Sequence, residues 1–193
     1  MCPCSPAGIV IRHGAPMARG ITTRRGDRGW TDLRSGARVR KTDLRVEALG
    51  TLDEVVSLLG LARCCSRRRS LKTLVRRVQE ELFVVGAEIA ATATKAAAPA
   101  RRVDGEMMSR LERELAEHQA RLKAPLHGFV LPGEGESSAR LDVARAVCRR
   151  LERAVWRLKG RHGLANRHLF AYLNRLSDLL FVLARLEGQR GRA

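Results

Sequence analysis

Aromatic side chains are scarce in this 193-residue chain: one Tyr, two Trp and four Phe, or 4% of the whole. Single-stranded nucleic acid is recognised by stacking on aromatic platforms and by known reading motifs. Neither is present, so a nucleic-acid role rests on charge alone: 37 Lys plus Arg against 20 Asp plus Glu, a formal net charge of +17. Lysine is rare as well. Only Lys41, Lys72, Lys95, Lys123 and Lys159 interrupt an otherwise all-Arg basic set, a skew that resembles the codon bias of a GC-rich genome as much as selection. A pI near 11.3 favours polyanionic partners of some kind, among them nucleic acid, an anionic membrane surface or a polyphosphate nucleotide.

Long apolar runs are missing too. The longest, such as Leu82 to Ala87, fall far short of the ~20 residues a membrane span requires. No Walker A sequence occurs, so any nucleotide binds outside the P-loop scheme. The five cysteines, Cys2, Cys4, Cys64, Cys65 and Cys148, are odd in number and show no paired metal spacing, which points to a reducing, cytoplasmic compartment.

What is present is a core. With 45% hydrophobic residues, a chain of this length buries roughly 70% of its unfolded surface. Residues 1–19 read as a disordered N-terminal extension, because the run Gly8 to Ile11 is too brief for a secretory core. Residues 20–187 read as one helical domain, and 188–193 as a disordered C-terminal tail.

Gly20 to Lys41 has no helical period and is dense in Gly, Thr, Arg and Asp. From Arg45 the pattern turns helical, with Val46, Leu49, Leu52, Val56 and Leu59 at steps of three and four as far as about Cys65. A second stripe runs from Leu71 through Leu74, Val78, Leu82 and Val85 to Ile89. Met107, Leu111, Leu115, His118 and Leu122 mark a third helix that Pro125 stops. The fourth, from about Ser138 to Lys159 with Ser137 or Ser138 as its cap, carries Leu141, Ala144, Cys148, Leu151, Val155 and Leu158. A fifth, from about Leu164 to Glu187, carries Leu169, Leu173, Leu176, Leu180 and Leu183. No strand of comparable strength is found. The expected fold is all-α: a five-helix bundle, of the four-helix-bundle (ferritin-like) type with an added helix, behind a glycine-rich N-terminal arm.

Four constellations carry chemistry. Arg145, Arg149 and Arg153 stack at i, i+4 and i+8 on the fourth helix and repel one another by a few tenths of a kcal/mol per pair, unless anions sit among them. That face is either a phosphate site or a solvated surface. On the first helix Asp53 adjoins the core position Leu52 and is expected to be partly shielded, with the fourth-helix arginines as candidate partners. The arm segment Thr23 to Thr31 offers glycines, hydroxyls and arginines that suit phosphate oxygens. Asn174 and Asp178 share one face of the fifth helix.

Thr23-Arg24-Arg25-Gly26-Asp27-Arg28-Gly29, Gly36-Ala37-Arg38-Val39-Arg40-Lys41 and Arg45-Val46-Glu47-Ala48-Leu49-Gly50-Thr51-Leu52-Asp53-Glu54 resemble the N-terminal half of the PduO-type ATP:cob(I)alamin adenosyltransferases. Phe129-Val130-Leu131-Pro132-Gly133, Ala144-Arg145-Ala146-Val147-Cys148-Arg149-Arg150-Leu151-Glu152-Arg153 and Tyr172-Leu173-Asn174-Arg175-Leu176-Ser177-Asp178 resemble its other signatures. The resemblance covers about residues 20–187.

It implies a homotrimer with active sites between subunits, and transfer of the 5′-deoxyadenosyl group of ATP to the cobalt of reduced cobalamin. ATP is then a co-substrate used with Mg²⁺, whose ligands the sequence leaves unknown, and cobalamin the other substrate. Thr23, Arg24, Arg25, Gly26, Thr31, Asp32 and Lys41 of the arm would surround the ATP, joined by Arg149, Arg150, Glu152 and Arg153 of the fourth helix and Asn174 of the fifth. Asp53 and Arg145 would meet across the subunit interface at the cobalamin, Phe129 would lie on the corrin's lower face, and Arg149, Asp53, Arg145 and Phe129 would form the catalytic set. A cobalamin reductase and an adenosylcobalamin-dependent enzyme are the further partners implied, with neither nucleic acid nor membrane among them. Arg25, Trp30, Asp32 and Glu134 depart from the family's usual residues; Arg25 adds charge that suits triphosphate, while Asp32 either repels it or helps hold Mg²⁺. Two alternatives remain at the level of sequence: an Arg-rich helical nucleic-acid binder, and an adenosylcobalamin carrier or chaperone.

Overall fold

The computed structural model describes residues 22, 24–33, 36–91, 99, 101–123 and 129–189. The expected extension 1–19 lies outside them, as does Thr23. Two short strands, β1 (Trp30–Asp32) and β2 (Arg38–Arg40), precede five helices: α1 (Leu44–Cys65), α2 (Arg69–Ala90), α3 (Gly105–Gln119), α4 (Glu136–His162) and α5 (Arg167–Gly188). The arm is therefore not free of strands. β1 and β2 pair antiparallel with Thr31 opposite Val39, and three residues apiece are too few to show a period of two. α5 reaches one residue into the expected tail, and Gly188 is buried.

The helix ends follow from local chemistry. Asp43, Asp104 and Asn166 cap α1, α3 and α5, each side chain accepting from a backbone N–H in the first turn. The expected serine cap of α4 is absent: the helix starts behind Gly135, and the Ser137 hydroxyl donates instead to Glu187 Oε2 at 2.8 Å. Glu187 also accepts from Ser66 Oγ at 3.1 Å and pairs with Arg68 at 3.4 Å, so one carboxylate ties the α1–α2 connection and the start of α4 to the end of α5.

α4 packs against both α1 and α5, and its stripe Leu141, Ala144, Cys148, Leu151, Val155 and Leu158 is almost wholly inaccessible. Each fully buried leucine contributes roughly 1.5–3 kcal/mol. α1 and α2 approach so closely that a Cβ on Gly86 would lie 2.7 Å from Leu52 Cδ2, which is why a glycine stands there. One set of polar groups inside joins three helices. Tyr172 is fully enclosed and donates to Glu81 Oε2 at 2.7 Å, while Arg110 reaches Glu81 Oε1 at 3.4 Å, joining α5, α2 and α3. Burial, followed by the Glu81 charge, pushes the Tyr172 hydroxyl well above its ordinary range.

Asp43 is the titrating cap. Its side-chain hydrogen bond to Arg45, at 2.9 and 3.0 Å, outweighs desolvation and holds the carboxyl at about 2. The folded value lies below the unfolded one, so the stabilisation is complete above about pH 4 and is lost as the pH falls towards 2. Asp43→Ala is expected to lower the unfolding free energy by about 1–2 kcal/mol at pH 7. Urea titrations of both proteins at a series of pH values check this: the gap narrows between about pH 4 and pH 2, and a gap constant down to pH 2 contradicts the assignment.

Candidate active site

The arm folds as a tight turn that leads into the ribbon. Arg24 is the single non-glycine residue of positive φ among the described residues, at 56°, and Gly29 follows at 77°. A left-handed arginine costs about 1–2 kcal/mol, which marks the turn as held by its surroundings. Lys41 N donates to Gly29 O at 2.8 Å, closing the turn. The Lys41 ammonium then lies over Gly26, where a Cβ would be 3.2 Å from Nζ. Gly26 and Lys41, both named for the ATP from the sequence, are thus in contact, and Arg24 opens the same turn.

Two departures from the family pattern answer each other here. Arg25 pairs with Asp32 at 3.1 Å, and Arg38 meets the same carboxylate at 3.5 Å while donating to Arg25 O at 3.0 Å. Asp32 therefore neutralises the arm's own arginines. A third departure, Trp30, sits beneath the Arg40 guanidinium at 5.0 Å on the facing strand.

Thr31 and Asp32 continue into a largely apolar groove of about 510 Å³ between the arm, α1 and α2, with Leu49, Asp53 and Phe83 on its walls. Asp53 is exposed and, among the described residues, has no ion-pair partner. The expectation that it is shielded against a fourth-helix arginine does not hold within one chain. Leu52 points into the core, so its neighbour is turned about 100° away; the contact across to α4 is made instead by Glu54, which pairs with Arg150.

A second hollow of about 440 Å³ is shared by α4, α5 and the end of α3 and lined by Arg145, Arg149, Arg175, Asp178 and Phe181. Arg149 and Arg153 are exposed and, among the described residues, pair with no carboxylate. Arg145 reaches Asp142 at 3.4 Å, Arg175 pairs with Asp178 at 3.1 Å, and Asn174 donates to Glu152 at 3.3 Å. Arg175 and Phe181 were not in the expected site set. Phe181 could have been found from its position off the leucine stripe of α5, where an aromatic side chain has no core to fill. The two hollows share no lining residue.

Cys148 lies between Arg145 and Arg149 in sequence but inside the core, where burial pushes its thiol up to about 12. It is no nucleophile at neutral pH. Phe129 is 109% and Leu131 85% exposed, so neither fills the core. No group of three or more His, Cys, Asp or Glu among the described residues is placed to hold a metal ion.

A sequence model described as Cobalamin adenosyltransferase matches residues 21–187. The chain belongs to that family. It is 41% identical over 167 residues to the corrinoid adenosyltransferase PduO of Salmonella typhimurium, an alignment that covers 86% of this chain and 49% of that protein. The chain thus spans about half the length of that relative. A corrinoid adenosyltransferase of Citrobacter freundii is also 41% identical, with 86% of this chain and 94% of the relative aligned. Among solved structures, a variant PduO-type ATP:corrinoid adenosyltransferase from Lactobacillus reuteri complexed with cobalamin and ATP superposes with a TM-score of 0.81 at 27% identity, covering 88% of this chain and 94% of that one. Among the described residues no helix is long and apolar enough to cross a membrane.

Proposed function

We propose that the chain is an ATP:corrinoid adenosyltransferase, which moves the 5′-deoxyadenosyl group of ATP to the cobalt of reduced cobalamin and releases triphosphate. One observation carries the assignment to this site: Arg149 and Arg153 stand exposed and, among the described residues, without carboxylate partners, on the helix whose sequence resembles the family's nucleotide signature. Guanidinium groups left unpaired in this way are set for an anion.

The active unit is a homotrimer of helical bundles with sites between subunits. Support comes from the two hollows sharing no lining residue, with Asp53 in one and Arg145 and Arg149 in the other, and from the lack of an ion pair between Asp53 and Arg145 among the described residues. A neighbouring chain supplies the missing half. Thr23, Arg24, Arg25, Gly26, Thr31 and Lys41 then surround the phosphates from one chain, with Arg149, Arg150 and Arg153 closing from the other, and Glu152 holding Asn174 beside them. Asp32 orders the arm through Arg25 and Arg38. Mg²⁺, where present, would be held by the ATP phosphates; among the described residues no group of three or more His, Cys, Asp or Glu is placed to hold it.

In the reaction the electron pair of Co(I) forms the bond to C5′, the C5′–O bond breaks, and its electrons leave on triphosphate. The protein's own tasks are to align C5′ with cobalt and to neutralise the charge that gathers on the leaving group with Arg149, Arg153 and Lys41. Phe129, exposed on its loop, covers the lower face of the corrin and makes cob(II)alamin easier to reduce by an external one-electron donor. Asp53 of one chain pairs with Arg145 of the next beside it. Cytoplasmic location, a cobalamin reductase and an adenosylcobalamin-dependent enzyme complete the proposed setting.

Mixing the protein with ATP, Mg²⁺ and chemically reduced cobalamin is expected to give the absorbance change of a cobalt–carbon bond; no such change contradicts the proposal. Arg149→Ala removes a charge-assisted contact of about 1.5–3 kcal/mol, so ATP affinity should fall about ten- to a hundredfold while cobalamin binding is largely spared. Phe129→Ala is expected to slow adenosylation from cob(II)alamin far more than from cob(I)alamin, at an unchanged melting temperature. Equal losses with both forms would remove Phe129 from the corrin face.

A further inference from the structure

The loop that carries Phe129 and the helix face that carries Arg145 are fastened to one buried ion pair. Arg185, in the last turn of α5, is 2% exposed, and its guanidinium meets the carboxylate of Asp142 in the second turn of α4, itself 4% exposed. The other oxygen of Asp142 accepts from Arg145 Nε at 3.4 Å. The second terminal nitrogen of Arg185 donates to the carbonyl of Leu131 at 3.4 Å, two residues beyond Phe129. Between the two arginines stands Phe181, with the Arg145 guanidinium 5.8 Å and that of Arg185 5.4 Å from its ring centre. The far end of the loop is seated as well: Glu134 packs against Gly188, where an added Cβ would lie 2.9 Å from that of Glu134.

Stability is a weak reason for this arrangement. Removing two charges from water costs as much as their attraction returns, and an apolar pair of similar volume is often as stable or more so. Arg185 Nε, moreover, is buried without a partner among the described residues. What an apolar pair would lack is direction, since the rigid planar fork of a guanidinium presents one nitrogen to a carboxylate and another to a backbone carbonyl at a fixed angle.

We propose that Asp142 and Arg185 are positioning residues, whose ion pair fixes the direction of Arg145 and the seat of the Phe129 loop so that both meet the corrin in one arrangement. The corrin part rests on the function proposed above; the fastening of loop 129–135 stands independently of it.

Removing one charge alone leaves the other buried and uncompensated, so the test uses Asp142→Leu combined with Arg185→Met, and separately Arg185→Lys, which keeps the charge but has no fork. Two readouts are taken on the full chain. Amide hydrogen exchange across 129–135 should quicken about tenfold in both variants. The cobalamin KM should rise about tenfold, with the ATP KM and the melting temperature little changed. Wild-type exchange and wild-type cobalamin KM in a folded variant overturn the proposal, as does a parallel loss in both KM values with a lowered melting temperature. If the double variant does not fold, Arg185→Lys decides on the same two readouts. A wild-type chain that makes no cobalt–carbon bond sinks the functional reading alone, and the exchange result still decides whether the pair holds the loop.

Discussion

The narrow buried line along α4 is the constraint on which the rest of the molecule depends. Leu141, Ala144, Cys148, Leu151, Val155 and Leu158 occupy it, and α1 and α5 close over it from either side. A helix with so slim an apolar stripe has most of its circumference left for charge. Its arginines are therefore distributed by geometry: Arg150 and Arg157 lean onto Glu54 and Glu47 of α1, Arg145 leans onto Asp142 towards α5, and Arg149 and Arg153 are exposed and pair with no carboxylate among the described residues. The same packing that stabilises the core thus decides which of these arginines are already paired within one chain.

Charge matching elsewhere follows the same division. Asp32 gathers Arg25 and Arg38, Glu187 gathers Arg68 with two serines, and Asp43 holds Arg45. A formal charge of +17 is thus not a uniform cloud. Where exposed ion pairs contribute little to stability, they still fix where side chains lie. In the arm that matters more, because its ribbon has only three residues per strand to give it shape.

The five helices were legible because each keeps a period near 3.6 for fifteen residues or more, long enough for the apolar positions to declare a face. The ribbon was not, being too short to alternate. Ser137 looked like a cap because serine before a helix often is one, yet its hydroxyl finds a carboxylate 50 residues away. Adjacency to the core residue Leu52 does not bury Asp53, because one step along a helix is a turn of about 100°. The Arg25–Asp32 pairing reads from sequence only as two unrelated departures. Arg185 gave no signal at all, since its burial is made by Asp142 across the helix interface and has no period to betray it. The division of the candidate residues between two hollows has no sequence signal, because it depends on which helices flank α4.

The central claim is that the site is completed by two chains, one giving Asp53 and the arm and the other giving Arg145 and Arg149. The direct measurement is complementation. Asp53→Ala and Arg145→Ala proteins, each impaired in cobalamin adenosylation, are unfolded together, refolded as a mixture, and assayed beside the same proteins refolded separately. The account predicts that mixing restores activity, since a mixed oligomer contains interfaces where an intact Asp53 faces an intact Arg145. A mixture no more active than the average of its separately refolded parents would contradict it.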